Sequence, residues 1–483
     1  MADEVITSAS AVCAPTRMSA ARARLELLIV GLGALVVSLT QSLLVPVLSV
    51  LPGDLHTSAA NVEWLLTSTL LVGAVAVPFF GRLGDMFGKR LMLLVTLAAL
   101  TAGSLLDAVT SNLVLLIAGR AIQGMSLAAI PLGISLLSSL LPRERVAAAI
   151  ALISSMLGVG GALGLPLAGV VVEHADFHML FWITAAAGGI ALLGTVLVVP
   201  EAPNRQGGRV DLVGSAVLTA GLVALLLPLA QGSAWGWTSA RTLGLLATSA
   251  VLLVGFVALE LRISSPLVDI RATRRRPIML TNTASLMFGF ALFASLIGTA
   301  SYVQAPRQSG YGFGSSIVVA GLCLLPSGLL MLLLAPVAAR LIGSIGAHRT
   351  LALGAVIVAA GWLLRIVATG SIWDILIGST VVGAGTGIGY AAMPALINRN
   401  SPSSEIAAAN GLNSLARTLG GSLASAAGGS LLTISTITVA GYALPSLAAY
   451  RALFAICAAA ATGAAVIALF IRDSSASYQR PVS

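Results

Sequence analysis

The sequence predicts an all-α polytopic membrane protein, built from two six-helix bundles with two further helices inserted between them. Three observations carry that prediction. Of the 483 residues, 58% are hydrophobic and only 9% are charged, and mean hydropathy is +1.01. Apolar runs of 18 or more residues recur from about residue 25 to about residue 472, each long enough to cross roughly 30 Å of hydrocarbon as a helix. Stretches of the first half also return, in order and at a nearly constant offset, in the second.

This balance excludes a soluble globular domain and a disordered chain. A transmembrane barrel would alternate apolar and polar residues in short strands, and that alternation is missing. Helices satisfy their own backbone hydrogen bonds inside lipid. Taken in order, the spans fall near 25–51, 62–80, 91–109, 113–141, 146–172, 177–199, 211–231, 240–261, 277–304, 315–341, 349–369, 373–397, 406–434 and 447–472. The first run is too long for a signal-peptide core and has no clear cleavage site, so it reads as a retained span. Residues 1–24 then form a cytoplasmic tail and 25–199 the first six-helix bundle. Residues 200–276 form a linker with two extra transmembrane helices, 277–472 the second six-helix bundle, and 473–483 a second cytoplasmic tail. The expectation is 14 transmembrane helices with both termini cytoplasmic.

The distribution of charge supports that count. The net charge is +9, but the basic residues sit in short loops between spans. That is a topology signal rather than a nucleic-acid surface. With the N-terminus inside, twenty of the 26 Lys and Arg residues face the cytoplasm. Only Arg241, Arg307 and Arg451 fall outside, while Arg120, Arg365 and Arg417 lie within spans. The three cysteines, Cys13, Cys323 and Cys457, have neither an even count nor a metal spacing, so they imply no disulfide framework.

The repeat is legible residue by residue. PFFGRLGDMFGKR (78–90) and PVAARLIGSIGAH (336–348) share Pro78 and Pro336, Arg82 and Arg340, Leu83 and Leu341, Gly88 and Gly346, without a gap and 258 residues apart. PRERVAAAIALISSMLGVGGAL (142–163) matches PSSEIAAANGLNSLARTLGGSL (402–423) at an offset of 260. Spans 1–6 and 9–14 are therefore parallel halves, the pattern of a transporter that rocks about a central site. The second copy of the loop lacks one feature: Gly343 stands where the first has Asp85.

Polar residues inside spans are the next signal. A buried arginine costs about 2.5–3.5 kcal/mol on insertion scales, so it normally faces the bundle interior with a partner. Arg120 has Gln123 and Gly124 on its own face; the alternative is a snorkelling position near the outer surface. Arg417 falls near mid-membrane with Asn413 on the same stripe, and both read as cavity-facing. Arg365 lies near the outer end of its span and reads as snorkelling. Gly81 and Gly88 permit a tight turn between spans 2 and 3. Asp85 between them can cap a helix N-terminus, whereas Lys89 and Arg90 alone would suit a solvated positive-inside loop. Gly160, Gly164 and Ala168 form a small-residue stripe that lets another helix approach, and Pro166 kinks it. The outer loop EHADFH (173–178) offers Glu173, His174, Asp176 and His178, but no further ligands accompany them and no metal is expected.

The residues 81–93, GRLGDMFGKRLML, resemble the loop signature of the major facilitator superfamily, with Gly81, Leu83, Asp85, Gly88, Lys89, Arg90 and Leu93 matching and Met86 departing. LIAGRAIQG (116–124) resembles its span-4 signature through Arg120, Gln123 and Gly124. GGALGLPLAG (160–169) resembles the exporter signature of span 5, with Gly160, Gly164, Pro166 and Gly169, although Leu165 separates Gly164 from Pro166 where the family usually joins Gly to Pro. SSPLVDIRATRRRP (264–277) is similar to the linker of the fourteen-span drug:proton antiporter group, the closest match.

The resemblance implies a major facilitator fold and a secondary active efflux transporter of the cell membrane. It would export amphipathic or cationic drugs or antibiotics by alternating access in exchange for protons. The alternatives are an exporter of a lipid or an endogenous metabolite, or a non-transporting receptor or scaffold. It implies no enzyme activity and no cofactor beyond a proton gradient. The partners are a small-molecule substrate and the lipid bilayer, with no nucleic acid, and a monomer is expected. The group Gly81, Arg82, Asp85, Gly88, Lys89 and Arg90 would form a gating latch, with Asp85 docking near Ser404 to Ala408 at the start of span 13. Many relatives carry an acid in span 1, where this chain has Thr40 and Gln41. The proton-coupling candidates are therefore Arg120, Asp54 and Asp107; the two acids read equally as interfacial surface charges. Gln41, Gln123, Asn282, Tyr302, Gln304, Asn413 and Arg417 are substrate-cavity candidates, chosen for polarity within a span.

Overall fold

The computed structural model describes residues 20–48, 51–202, 211–263, 267, 270–402, 405–439 and 442–471. The first half comprises α1 (Ala20–Val47), α2 (Trp64–Phe87), α3 (Lys89–Ala108), α4 (Leu113–Gly124, continued through the 3-10 turn Met125–Ala128 into Ala129–Leu140), α5 (Arg143–His174) and α6 (His178–Val198). The insertion is α7 (Leu212–Trp235) and α8 (Ala240–Glu260). The second half comprises α9 (Arg276–Gln304), α10 (Ile317–Leu333 and Ala335–Ser344, bent by 43°), α11 (Ala347–Val367), α12 (Ile372–Asn400), α13 (Ile406–Ile434) and α14 (Leu447–Leu469). An antiparallel hairpin, β1 (Thr436–Val439) and β2 (Tyr442–Pro445), joins α13 to α14 with Thr436 opposite Pro445.

Twelve helices among the described residues are long and apolar enough to cross a membrane, and the bent α10 makes a thirteenth. The sequence expectation of fourteen rests on α13 as well. That helix is 29 residues long but rich in Gly, Ser and Asn. It is enclosed by α9, α2, α7, α4 and α14, so it has little need of a greasy surface. Helix ends follow local chemistry: Asn112 Oδ1 accepts from the N–H groups of Val114 and Leu115 to start α4, and Ser371 with Asp374 forms a capping box on α12.

The repeat is real in three dimensions. Helix α1 packs on α5 as α9 packs on α13, α3 on α6 as α11 on α14, and α2 on α4 as α10 on α12. Gly88 and Gly346, equivalent in the repeat, both have positive φ, 126° and 88°, at the junctions leading into α3 and α11. The halves meet along two seams that the same symmetry relates, α5 on α10 and α2 on α13. Glycines set the spacing on both the intra-half and inter-half contacts. A Cβ on Gly160 would lie 2.6 Å from Leu35 O of α1, and Gly164 is closed against Ser42. Pro166 and Gly169 instead face α10, where Gly321 and Val318 abut them. Helix α7 lies against α2 and α13, while α8 packs on α7.

Candidate functional site

The residues expected to act as a latch gather at one end of the α2–α13 seam. Helix α2 runs on to Phe87, so Gly81 lies inside a helix and not in a turn. Its missing side chain serves close approach instead: a Cβ there would sit 3.0 Å from Ala407 O of α13. Gly88 alone makes the turn, and a side chain would strike Glu201. Asp85 is 2% exposed, and its Oδ2 accepts from the Ala408 N–H at 3.0 Å. Ala408 is in the first turn of α13, where free N–H groups attract an anion. Ser404, the other end of the expected docking stretch, lies outside the described residues. Lys89 Nζ lies 3.7 Å from Asp85 Oδ1 and donates to Ser139 Oγ at 3.1 Å. Arg82 is buried beside them, while Arg90 turns away and donates to Val196 O. Glu201, which carried no sequence signal, accepts from the N–H groups of Arg90 and Leu91 and so caps α3. Nearby, Asn398 Nδ2 donates to Ser138 Oγ across the halves at 3.1 Å; the two are 260 residues apart, so each is the other's counterpart in the repeat.

A cavity of about 190 Å³ lies between the halves, lined by α1, α2, α4, α5, α9, α12 and α13. Its walls are mostly apolar, with Leu66, Leu70, Leu292, Phe293, Leu296 and Ile297 prominent. The polar features include Gln41, Arg120, Tyr390 and Arg417, with a row of hydroxyls on α13.

Arg120 is 1% exposed and reaches inward, which rules out the snorkelling alternative. Its Nη1 donates to Gln123 Oε1 at 2.6 Å and to Thr40 O at 3.3 Å, and its Nε donates to Leu65 O. Gln123 Nε2 in turn donates to Asp107 Oδ2 at 2.9 Å and to Ser104 Oγ at 3.2 Å. The amide thus bridges a guanidinium and a carboxylate. Asp107 is 0% exposed although it sits one residue from the end of α3, so it is not an interfacial charge. Its Oδ1 and the Nη2 of Arg120 have no hydrogen-bond partner. Gly119 makes room for that carboxylate, since a Cβ would collide with Oδ1. A second cavity of about 10 Å³ touches Arg120 from the α6 side, by Thr40, Phe181 and Thr184. That is near the minimum for one water.

Arg417 also faces the cavity. Its Nη1 donates to Asn413 Oδ1 at 3.0 Å, and its guanidinium lies 5.1 Å from the Tyr390 ring centroid. Asn413 Nδ2 donates to Asn282 Oδ1 and Ser285 Oγ, which fixes its carbonyl toward Arg417. Gln123, Asn282 and Asn413 therefore stand behind the cavity wall, orienting residues that line it.

Other sequence candidates fall elsewhere. Tyr302 is buried in a cluster with Tyr311, Tyr450 and Phe454, its hydroxyl donating to Thr369 O. Gln304 is exposed and donates back to Ala300 O. Neither lines the cavity, because both lie at the far end of α9. Asp54 is exposed in the single-turn helix Leu51–Asp54, away from Arg120's network. Arg365 does not snorkel. It is 0% exposed, donates to Thr299 Oγ1 at 2.8 Å, and lies 4.4 Å from the Phe454 centroid. In the loop between α5 and α6, His178 pairs with Asp176. Partial burial pushes the Asp176 carboxyl up, but hydrogen bonds from the His178 N–H and ring outweigh it and hold it below the usual carboxylate value. Among the described residues, no three His, Cys, Asp or Glu side chains gather as a metal site.

The profile of the Major Facilitator Superfamily matches residues 30–325 and 308–482. The chain is similar to the tetracenomycin C resistance and export protein of Streptomyces glaucescens, 28% identical over 415 residues, which is 84% of this chain and 75% of that protein. It is 31% identical over 350 residues to a probable actinorhodin transporter of Streptomyces coelicolor, covering 69% of this chain and 59% of the relative. Similarity to the multidrug resistance protein Stp of Mycobacterium tuberculosis is 26% over 411 residues, 84% and 75% of the two chains. The fold resembles that of the human organic anion transporter MFSD10 (TETRAN), with a TM-score of 0.66 at 14% identity over 92% of this chain and 99% of that one.

Proposed function

The chain belongs to the major facilitator superfamily, and on that footing we propose that it is a proton-coupled exporter of amphipathic organic compounds in the cytoplasmic membrane. It has fourteen spans, α13 included, and both termini are cytoplasmic, so the latch closes the inner side. The relatives named for antibiotic export and multidrug resistance support the export direction. The observation that carries proton coupling is the bridge Arg120–Gln123–Asp107 at the cavity wall.

The bridge supplies what an exchange cycle needs. Asp107 is a buried carboxylate with one oxygen free of hydrogen bonds, and a proton placed there removes its charge. The attraction that holds Gln123 and Arg120 in line then falls, because a hydrogen bond to an ionised acceptor is roughly twice as strong as a neutral one. Arg120, released from that pull, shifts at the cavity wall where substrate sits. Proton loading and substrate binding are thereby exclusive, and the α2–α13 latch holds the inner side shut while they exchange. Transport by the purified protein in vesicles with an imposed pH gradient tests this reading. Substrate movement that follows the gradient in the wild type and not in Asp107→Asn supports it; gradient-driven movement that survives Asp107→Asn removes Asp107 from the role.

A further inference from the structure

The charge of the cavity wall carries a second reading. The lining includes two guanidinium groups, Arg120 and Arg417, and no acidic side chain. Arg120 has Asp107 behind it, one amide away. Arg417 has no such partner. The groups that hold it are neutral, the Asn413 carbonyl and the Tyr390 ring, and Asn413 is itself held by Asn282 and Ser285. No carboxylate among the described residues lies within ion-pair distance of either arginine. The cavity therefore presents an excess of positive charge within apolar walls.

We propose that this cavity selects amphipathic organic anions over cations, with Arg417 contacting a carboxylate, sulfonate or ionised phenol of the substrate. The proposal rests on the cavity being the substrate site, and it sets amphipathic anions against the cationic option in the expected amphipathic or cationic cargo. A guanidinium presents a planar fork of donors that matches such oxygens. An apolar ring system would lie along Leu296, Ile297 and Phe293, where removal of its surface from water is favourable. A cation of the same shape would meet two guanidinium groups in a site of low dielectric, and only Arg120 has an acid, Asp107, behind it.

Matched dyes test this. Fluorescein, an anion at mildly alkaline pH, and rhodamine 123, a cation, share a xanthene core. Equilibrium binding to the purified full-length protein in detergent is followed by fluorescence anisotropy. Fluorescein should bind at least about tenfold more tightly, equivalent to about 1.4 kcal/mol. Arg417→Gln should remove most of that difference and Arg417→Lys should keep part of it. Gln41→Glu, which places an acid on the facing wall, should shift preference toward rhodamine 123 and gives an independent route if Arg417 variants do not fold. A wild-type protein that binds rhodamine 123 as tightly as fluorescein, or binds neither, overturns the proposal. Binding in detergent needs no gradient. Fluorescein bound but not moved by a pH gradient would keep this inference and sink the proton-exchange reading; rhodamine 123 pumped by the gradient would do the reverse.

Discussion

Asp107 of α3 and Arg365 of α11 occupy the same place in the two halves, 258 residues apart, and each is 0% exposed. One is an acid and the other a base. Asp107 is wired through Gln123 to Arg120 and so to the cavity. Arg365 ends at Thr299 among Trp362 and Phe454, with its Nε and Nη2 lacking hydrogen-bond partners, and it does not line the cavity. The end of α2 repeats the asymmetry, since Asp85 reaches Ala408 whereas a Cβ added at its counterpart Gly343 would meet nothing within 4 Å. Helix packing is shared by the two halves, whereas the buried acids Asp85 and Asp107 both lie in the first.

If that division holds, variants at matched positions should separate cleanly. The largest effect is expected from Asp107→Asn, which should cut pH-gradient-driven transport in vesicles by about 100-fold or more, the scale of losing a positioned acid–base group. Fluorescein binding in detergent should weaken as well, because the neutral amide mimics the protonated carboxyl, which lets Arg120 shift at the cavity wall. Asp85→Asn comes next. The amide can still accept from Ala408 but loses its charge and its pairing with Lys89, so efflux by a normally inserted protein should fall by about tenfold. Normal efflux by that variant would remove the latch from the cycle. Gly119→Ala should lower stability by about 1–3 kcal/mol through overpacking against Asp107, read as a lowered melting temperature. Gly161→Ala, where nothing lies within 4 Å, is its matched control. The smallest effect should come from Arg365→Met, because replacing a poorly satisfied buried charge with an apolar chain is often neutral or stabilising. Strong loss of driven transport in Arg365→Met would break the comparison.

Much of the architecture was legible because lipid is a demanding solvent. It forces long apolar helices, and the spacing of Pro78, Arg82, Leu83 and Gly88 against their second copies was enough to divide the chain into halves. Asp85 was legible for a related reason: a topology loop needs cations and has no use for an acid. What sequence could not supply was azimuth. Position along a helix gives depth, and by depth alone Asp107 and Arg365 look like groups at the surface of the bilayer. Packing of α3 on α4 and of α11 on α12 and α14 turns both inward. The repeat held a usable clue, because the 258-residue offset places these two charges opposite one another. Tyr302 and Gln304 failed for the same reason, since polarity within a span does not say which neighbour it meets. Glu201 and the β1–β2 hairpin depend on contacts distant in sequence or on very short strands, and neither leaves a periodic signal.

Helix α8 has one further consequence. Only 17% of its most apolar window is buried, and its packing is against α7. Most of the α8 surface therefore faces away from both halves of the molecule. Its outward side chains need only be apolar, so substitutions there are constrained by solvent and not by shape.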